Sequence, residues 1–360
     1  MGLSDARFAI QTIGRWVKTG RRDRRANRLH ATAEERLLVL RHPANKPSFY
    51  RRVLEVLENE FPEVRARFEL QLLPFRKADV SRYRLCIPWL QDPVQSWSVA
   101  AYKRMDRITD QLAVRGVATI NPVAKLTNAV KVSGSERIRS AGIRTARTVE
   151  ITDLENFRET GLGLQLPILI RDDWGHASKY ALARGAVIRC DTEQERRDAN
   201  LQGFRRPIAI EFIETKSPDG LYRKYRHFAM GDMGFPHHVQ MKYHWYVKGE
   251  EGGRLEYSDA IREEELAFVH QPDPNTELLQ KARQALDLDY VAFDYSYDQS
   301  GNLVVWEANP LPIIAYATDQ WAYKNHIVIR TILGMAQMYL TRAGLPVPDE
   351  LQERTAIRPE

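Results

Sequence analysis

Short apolar runs alternate with helical stripes of apolar residues in the part of the chain between residues 36 and 122. The run ERLLVLRH is typical of a short buried strand, and PSFYRRVLEVLENEF after it has the spacing of an amphipathic helix. FELQLLPF and RLCIPWL predict two further strands, and SVAAYKRMDRITDQLAVRG predicts a helix that ends at Gly116. Strands that alternate with helices in this way are typical of parallel sheets. We therefore expect a parallel α/β lobe over residues 36–122.

The pattern changes after this lobe, where strands become more frequent than helices. VKVSGSERIRSAGIRTART predicts a helix that ends at AGI and a strand after it, and LPILIRDDWGHASKYALARGAVIRC predicts a strand, a polar loop and a strand. RPIAIEFIE, LYRKYRHFAMGD and HHVQMKYHWYVKGE predict three more strands, the last of which runs into a loop. VAFDYSYDQSGNLVVWEANPLP then predicts a β-hairpin with DQSG as its turn.

The end of this hairpin carries polar side chains on a strand that is otherwise apolar. Glu307 and Asn309 are two positions apart and project from one face of an extended strand, and strand pairing can bring Asp294 opposite them. Two carboxylates at a buried strand end repel each other and resist desolvation unless a cation compensates. Mg²⁺ is commonly held by one or two carboxylates together with substrate phosphates. The hairpin therefore indicates a metal site shared with a nucleotide, and the alternative is a surface hairpin end with solvated polar groups.

These segments, in this order, resemble the ATP-grasp enzymes over residues 120–315. VAFDY and WEANPLP are similar to the last two core strands of that family, and the resemblance implies that Asp294, Glu307 and Asn309 are ligands of Mg²⁺. INPVAKLTNAVKVSGSERIRSAGIRTART is similar to the run that carries a phosphate-binding lysine. The resemblance therefore implies that Lys131 contacts the phosphates of ATP.

The resemblance also assigns two arginines to ATP. LPILIRDDWGHASKY is similar to the strand that holds a second phosphate-binding cation, which is Arg171 here. RHFAMGD is similar to the strand whose arginine lies beside the transferred phosphoryl group, which is Arg226 here. Arg171 stands where the family mostly has lysine, and this change keeps the charge and adds bidentate geometry. Together with Lys131, these side chains would balance the charge of a triphosphate.

The segment IAIEFIE resembles the hinge strand between the two grasp lobes. The resemblance implies that the backbone of Glu211 and Ile213, with Phe212 between them, contacts the adenine edge. It also implies that Glu214 contacts the ribose. The strand HHVQMKYHWYVKGE follows Arg226 in the fold and carries Lys242, so it indicates a catalytic pocket for an anionic substrate; the alternative is a row of exposed polar residues on an antiparallel strand.

Two departures from the family pattern bear on activity. The loop DDWGHASK contains Asp172 and Asp173 and one glycine where the family often has several glycines. These aspartates either weaken ATP binding or bind a basic substrate. Lys224, two positions before Arg226, stands where related enzymes often have an acidic residue that binds the ribose.

The resemblance implies an α/β fold with α+β grasp lobes. Its predicted segments are a basic arm at residues 1–35, the N-terminal lobe at 36–122, grasp lobes at 123–205 and 206–345, and a tail at 346–360. It also implies an ATP-dependent ligase, with ATP and Mg²⁺ as cofactors, that joins a carboxylate and an amine of small molecules or peptides through an acyl phosphate. A kinase or other phosphotransferase with this fold is one alternative, and a non-catalytic nucleotide-binding protein is another.

The net charge of +6 belongs to the N-terminal arm, because residues 1–30 hold eight basic and two acidic residues and the rest of the chain is balanced. SDARFAIQTIGRWVKTG predicts an amphipathic helix capped by Ser4. One interpretation is that the arm binds an anionic membrane or a nucleic acid. The other is that it packs on the body or on a second subunit, with a solvated hinge at RRDRRANR. The helix at HIVIRTILGMAQMYL also offers apolar surface for a homo-oligomer.

Composition places the chain among globular proteins, since 43% of its residues are hydrophobic and 28% are charged. No apolar run approaches the roughly 20 residues of a membrane-spanning helix, and the N-terminus lacks the apolar core of a secretory signal. Cys86 and Cys190 lie far apart without metal-type spacing, so we expect two free thiols. These features favour a cytoplasmic protein.

Overall fold

The computed structural model describes residues 3–42, 48–75, 79–90, 93–96, 98–174, 187–247 and 258–357. The chain divides into two compact units. Unit 1 comprises Met1–Ala124 with Leu311–Ile357, and unit 2 comprises Lys125–Pro310 with Arg358–Glu360.

Eleven α-helices lie in the described residues: α1 (Leu3–His30), α2 (Ser48–Glu60), α3 (Pro62–Arg65), α4 (Val99–Ala113), α5 (Lys131–Ser140), α6 (Leu154–Thr160), α7 (Glu193–Asp198), α8 (Asp259–Val269), α9 (Thr276–Ala285), α10 (Asn325–Arg342) and α11 (Asp349–Thr355). The same residues form twelve strands: β1 (Arg36–Arg41), β2 (Phe68–Leu72), β3 (Tyr83–Trp89), β4 (Ala118–Thr119), β5 (Thr148–Glu150), β6 (Ile168–Asp172), β7 (Ile188–Cys190), β8 (Pro207–Glu211), β9 (Tyr222–Met230), β10 (Met233–Lys242), β11 (Tyr290–Tyr297) and β12 (Leu303–Asn309). No helix of this described part is long and apolar enough to cross a membrane.

Unit 1 contains the predicted parallel sheet. Its strand order is β2-β1-β3-β4, and every neighbouring pair is parallel. Helix α4 begins after Ser98, whose side chain accepts a hydrogen bond from the backbone N of Ala101 and so satisfies a free donor at the helix start. The sequence prediction of a parallel α/β lobe is confirmed.

Helix α1 packs on the edge of this sheet and is continuous through the predicted hinge. The side chain of Asn27 exchanges two hydrogen bonds with the backbone of Leu70 in β2, at 2.8 and 2.9 Å. Asp23 is buried and forms an ion pair with Arg41 of β1. RRDRRANR is therefore helical, which corrects the expectation of a solvated hinge there.

Helix α10 also groups with unit 1, although the predicted boundary placed it in the second grasp lobe. Eleven of its 18 residues are buried, among them Tyr339. The ring of Tyr339 packs at 6.3 Å from that of Phe68, and its hydroxyl accepts a hydrogen bond from Trp89. The apolar surface of α10 is thus used inside unit 1, which corrects the expectation that it is available to a second subunit.

Unit 2 contains two antiparallel sheets. Their strand orders are β5-β8-β6-β7 and β10-β9-β11-β12. Strand β8 pairs with β5 and β6 in the first sheet, although the predicted boundary at 205/206 assigned it to the second lobe. The sheets are joined where Thr145 donates to the carbonyl of Val305 at 2.7 Å. This arrangement, with the parallel lobe of unit 1, is the expected α/β fold with α+β lobes.

Both cysteines are free thiols, as predicted, and both are buried. Burial raises the pKa of Cys86 to about 12 and the pKa of Cys190 to about 11, because the thiolate is disfavoured away from water.

Candidate functional site

A cleft in unit 2 lies where the two antiparallel sheets meet, with about 1170 Å³ of empty space including its open mouth. Apolar side chains of both sheets form a packed cluster at its base: Ala146, Ile208, Ile210, Ile213 and Val304, with Val132, Leu169 and Trp306 against them. The charged side chains of the lining are Lys131, Arg171, Lys224, Asp294 and Glu307. An apolar base with a few converging charged groups is typical of a ligand site.

The predicted convergence of hairpin carboxylates is present. Asp294 and Glu307 are register partners in the antiparallel pair β11 and β12, and Ala292 is the partner of Asn309. Cross-strand partners project from one face of a sheet, so both carboxylates lie on the cleft side. Asn309 follows on the same face and is half-buried, and it lies outside the residues that line the cleft.

Lys131 is the first residue of α5 and contacts the end of this hairpin. Its Nζ donates to the carbonyl of Trp306 at 2.9 Å and lies 3.4 Å from Glu307 Oε2. The indole of Trp306 is itself held by a hydrogen bond to Ser296 Oγ at 2.8 Å. Burial lowers the pKa of Lys131 to about 8, with Glu307 acting in the opposite direction.

Arg171 lies on β6 and has an unsatisfied donor. Its Nε is buried and has no hydrogen-bond partner among the described residues. A buried donor without a partner costs about 1–3 kcal/mol, and a water molecule, an ion or a ligand commonly supplies the acceptor. Five other arginine Nε atoms of the described residues share this property, and Arg171 differs from them because it lines the cleft. A phosphate oxygen is an acceptor of the right charge for this guanidinium.

Asp294 is held by two cations of β9. Its Oδ1 accepts from Arg226 Nε at 2.6 Å, and its Oδ2 accepts from Arg226 Nη2 at 2.9 Å. Lys224 Nζ lies 3.2 Å from the same Oδ2. Burial acts to raise the pKa of Asp294, but the charges of Lys224 and Arg226 outweigh it and the pKa is lowered. The carboxylate is therefore ionised and paired.

Sequence reasoning missed this role of Lys224, which it recorded as a departure from the family pattern. The available signal was spacing, because Lys224 and Arg226 are two apart on one strand and share a face. Its partner, Asp294, could not be predicted from the sequence, because β9 and β11 are far apart in the chain and meet only in the folded sheet.

The predicted hinge residues divide into two groups. Phe212 and Ile213 line the cleft, and the guanidinium of Arg189 lies 4.2 Å from the centre of the Phe212 ring. Glu211 and Glu214 lie outside the lining. Glu211 Oε2 accepts from the backbone N of Arg147 at 2.9 Å, and Glu214 Oε1 accepts from the backbone N of Lys216 at 2.9 Å.

Lys242 ends β10, where it is the register partner of Tyr222. Its side chain is buried and lies outside the lining of the cleft. A role for Lys242 in binding an anionic substrate therefore stays a prediction.

The two aspartates after Arg171 have structural partners. Asp173 Oδ1 accepts from the backbone N of Val132 at 3.1 Å, and Asp172 Oδ2 accepts from the backbone N of Arg205 at 3.0 Å. Neither residue lines the cleft. Residues 175–179 of the DDWGHASK loop lie outside the described residues.

No group of three or more His, Cys, Asp or Glu side chains in the described ranges is placed to hold a metal ion. Glu307 and Asn309 carry the oxygen ligands that Mg²⁺ takes together with phosphates and water, and their binding of Mg²⁺ stays a prediction. The unsatisfied donor of Arg171 and the ammonium of Lys131 fit the phosphates themselves.

No protein-family model matches the chain, and no curated protein gives a significant match. Solved structures do match. The ATP-grasp ligase PsnB, complexed with a phosphomimetic variant of its minimal precursor, Mg and ADP, superimposes with a TM-score of 0.51 at 13% identity over 86% of this chain and 98% of PsnB. The VanG D-Ala:D-Ser ligase from Enterococcus faecalis superimposes with a TM-score of 0.50 at 10% identity over 84% of this chain and 100% of VanG. At these identities the likeness shows the fold.

Proposed function

We propose that this chain, which has the ATP-grasp fold, is an ATP-dependent carboxylate–amine ligase that forms an amide or peptide bond through an acyl phosphate. The observation that carries the proposal is the cleft of unit 2, where Lys131, Arg171 and Lys224 face Asp294 and Glu307 above an apolar base. Cations on separate elements that converge beside paired carboxylates are suited to a triphosphate with its metal ion.

The apolar base would hold the adenine ring. Ile210, Phe212 and Ile213 lie at this end of the cleft, and buried apolar area contributes about 25 cal/mol per Å². Lys131 and Arg171 would bind the phosphates, and the phosphate oxygens would satisfy Arg171 Nε. Glu307 and Asn309 would hold Mg²⁺, which when bound neutralises and orients the phosphates.

Arg226 would stabilise the reacting phosphoryl group. Arg226 lies outside the residues that line the cleft and is paired with Asp294, which lines it, so this carboxylate sets the position of the guanidinium. An oxygen of the substrate carboxylate forms a bond to the γ-phosphorus and ADP leaves; the amine nitrogen then attacks the acyl carbon, loses a proton, and phosphate leaves. The protein contributes position and charge to both steps.

For the substrates we propose a carboxylate and an amine of amino acids or peptides. The PsnB structure contains a variant of a precursor, and VanG is a D-Ala:D-Ser ligase.

A hydroxamate assay tests the proposal. The full chain is incubated with ATP, Mg²⁺, pools of amino acids or short peptides, and hydroxylamine as a surrogate amine. A ligase forms hydroxamate with ADP and phosphate when a carboxylate is present. A phosphotransferase instead leaves phosphate on an acceptor, and a non-catalytic protein binds Mg-ATP in calorimetry without forming any product; either result overturns the ligase assignment.

We also propose that the outer face of α1 binds an anionic partner. Seven basic side chains of this helix are exposed: Arg15, Lys18, Arg21, Arg22, Arg24, Arg25 and Arg28. The acidic residue among them, Asp23, is buried against Arg41. Packing on β2 therefore fixes the basic side chains on one ordered surface. A homo-oligomer and a cytoplasmic location stay predictions.

A further inference from the structure

We infer that Trp245 is the side chain on which the base of the nucleotide stacks, and that Arg189 is the residue that positions its ring. This role rests on the proposed function and deepens it, because a nucleotide must bind in the cleft of unit 2 for its base to meet Trp245. The predicted contacts of the hinge strand concern the edge of the base, and its flat faces need a partner of their own.

Aromatic side chains from both sheets meet in the cleft. Phe212, Trp245 and Tyr246 line it together with Val187 and Val247. Phe212 follows β8 of the first sheet, and Trp245 follows β10 of the second. Their rings lie 6.1 Å apart at an interplanar angle of 85°, which is the edge-to-face arrangement that aromatic pairs favour. The two rings therefore form a corner, and a planar base can lie flat against only one of them.

Arg189 covers one ring of this corner. Its guanidinium carbon lies 4.2 Å from the centre of the Phe212 ring and 5.5 Å from the centre of the Trp245 ring. Both distances are within the roughly 6 Å of a cation–π contact, and the shorter one seats the cation on Phe212. One face of Phe212 is therefore occupied, and Trp245 is the ring of the pair that is better placed to receive a base.

Arg189 is itself held in place by the residue that follows β7. The Oδ1 atom of Asp191 accepts from Arg189 Nε at 2.8 Å and lies 2.7 Å from Nη2. Trp245 lies in an irregular segment three residues past the end of β10, so strand pairing does not fix its side chain. A contact with a tethered guanidinium orders the indole before a ligand binds, and this lowers the entropy that binding costs.

The indole of Trp245 is suited to stacking. It is half-buried and lines the cleft, so part of its surface is open to a ligand. The neighbouring rings of His244 and Tyr246 are tilted against it, at interplanar angles of 39° and 45°, and neither lies flat on it. Every nucleobase has a π face that can stack on an aromatic side chain. Lys131 and Arg171, which we assign to the phosphates, line the same cleft, as a nucleotide bound through both its ends requires.

Calorimetry with two ligands separates the base from the phosphates. The full chain is titrated with the non-hydrolysable analogue AMP-PNP and with inorganic tripolyphosphate, each with Mg²⁺. Trp245→Ala should weaken AMP-PNP binding by about tenfold, the usual effect of removing one stacking ring, and should leave tripolyphosphate affinity unchanged. Tyr243→Ala is the matched control, because this ring is 66% exposed in the same segment and lies outside the lining. It should change neither affinity.

Variants of Arg189 test the positioning role. Arg189→Gln should weaken AMP-PNP binding by less than Trp245→Ala does, because the indole is loosened but still present, and should leave tripolyphosphate affinity unchanged. Arg189→Lys keeps a cation for the rings and should recover part of the loss. Arg197→Gln, at an exposed ion pair with Glu193 in the same unit, is the control and should bind both ligands as the wild type does.

Tryptophan emission gives an independent measurement. A base stacked on an indole quenches its emission, so AMP-PNP should quench the emission of the wild type and tripolyphosphate should not. Trp245→Phe keeps a ring for stacking, so it should retain most of the AMP-PNP affinity and lose most of the quenching. Circular dichroism checks that each variant is folded.

The outcomes distinguish three failures. Unchanged AMP-PNP affinity in Trp245→Ala, equal losses for the two ligands, or quenching that Trp245→Phe retains in full would each overturn the stacking role while nucleotide binding persists. Wild-type AMP-PNP affinity in Arg189→Gln would overturn the positioning role. Failure of the wild type to bind AMP-PNP at all would instead overturn the proposed function and the role of Trp245 with it.

Discussion

Asp173 accepts a hydrogen bond from the backbone N of Val132 at 3.1 Å, and so caps the helix whose first residue is Lys131. The residue before this helix, Val130, offers no side-chain cap of its own, so the loop after β6 supplies one. A carboxylate at this place also interacts favourably with the helix dipole. The loop aspartate that the sequence suggested as an obstacle to ATP thus supports the helix of Lys131, the residue that we propose to bind the phosphates.

Asp173→Ala should therefore weaken both the fold and the binding of nucleotide. Loss of the cap is expected to lower the free energy of unfolding by about 1 kcal/mol, and fraying of α5 displaces Lys131. Denaturant unfolding and calorimetry with AMP-PNP measure the two effects. Asp153→Ala is the matched control, because Asp153 caps α6 in the same unit and lies away from the cleft. Equal nucleotide affinity in the two variants would contradict a link between the cap and the phosphate site.

The lowered pKa of Lys131 predicts a pH dependence with opposite signs for stability and for binding. Between pH 8 and about pH 10.5 the folded chain has released this proton and the unfolded chain still holds it, so the free energy of unfolding rises with pH in that window. Nucleotide affinity falls in the same window, by up to about tenfold per pH unit, since the ammonium that contacts phosphate is lost. Calorimetry with AMP-PNP and denaturant unfolding at several pH values check both signs.

Lys131→Met is the control for this titration. The methionine side chain has no proton to release, so neither the nucleotide affinity nor the free energy of unfolding of this variant should show the change that begins near pH 8. Its nucleotide affinity should be low throughout. A wild-type profile that the methionine variant reproduces would mean that another group is responsible.

Substitution of Arg171 should weaken nucleotide binding without weakening the fold. Arg171→Met removes the buried Nε that has no hydrogen-bond partner in the described part of the chain, so the free energy of unfolding should stay the same or rise by about 1 kcal/mol. Nucleotide affinity should fall about tenfold or more, because the guanidinium is lost from the phosphates. Arg197→Met, at an exposed ion pair with Glu193, should change neither quantity appreciably. A marked loss of stability in Arg171→Met would show that the guanidinium is structural.

Glu307→Ala and Asn309→Ala should abolish ATP turnover and leave the fold intact. Both residues lie in the last three positions of β12 on one face of the sheet, and loss of a metal ligand should cost at least the roughly 10–100-fold that loss of an outer-shell partner costs. ADP release in the hydroxamate assay and circular dichroism measure the two properties. Gln240→Ala, at an exposed position of β10, is the control. An alanine variant that released ADP at the wild-type rate would remove the metal assignment.

The sequence was most informative where a contact depends on nearby residues. Glu307 and Asn309 share a face because they are two apart. The register set by the turn would place Asp294 opposite Trp306, and a shift of register between Asp294 and Tyr295 places it opposite Glu307 instead. Lys131 was found through the order of segments in the resembled family, and the structure brings it to 3.4 Å from Glu307.

Contacts between distant segments were beyond sequence reasoning. The pairing of β9 with β11, which brings Arg226 and Lys224 to Asp294, depends on sheet order. Helix α10 is apolar around most of its circumference, a pattern that indicates burial without showing which elements cover it. Glu214 lies outside the residues that line the cleft, and its carboxylate accepts from the backbone N of Lys216, so its contact with the ribose stays a prediction.

The exposed basic face of α1 predicts salt-dependent binding to polyanions. Arg21→Gln with Arg25→Gln removes two neighbouring exposed charges, and glutamine keeps the helix propensity high, so α1 should remain folded on β2. We expect weaker binding and a slope of log affinity against log salt that is smaller in magnitude by about 1.4 for single-stranded nucleic acid, because each phosphate contact contributes about 0.7. Fluorescence anisotropy measures binding to single-stranded RNA and DNA, and flotation measures binding to anionic vesicles.

Arg104→Gln with Arg107→Gln makes the same change of net charge on α4 and should leave binding unaltered, because these arginines are exposed on another helix. If both double variants bind all three polyanions as tightly as the wild type does, the basic side chains of α1 are simply solvated and the proposal of an anionic partner is wrong.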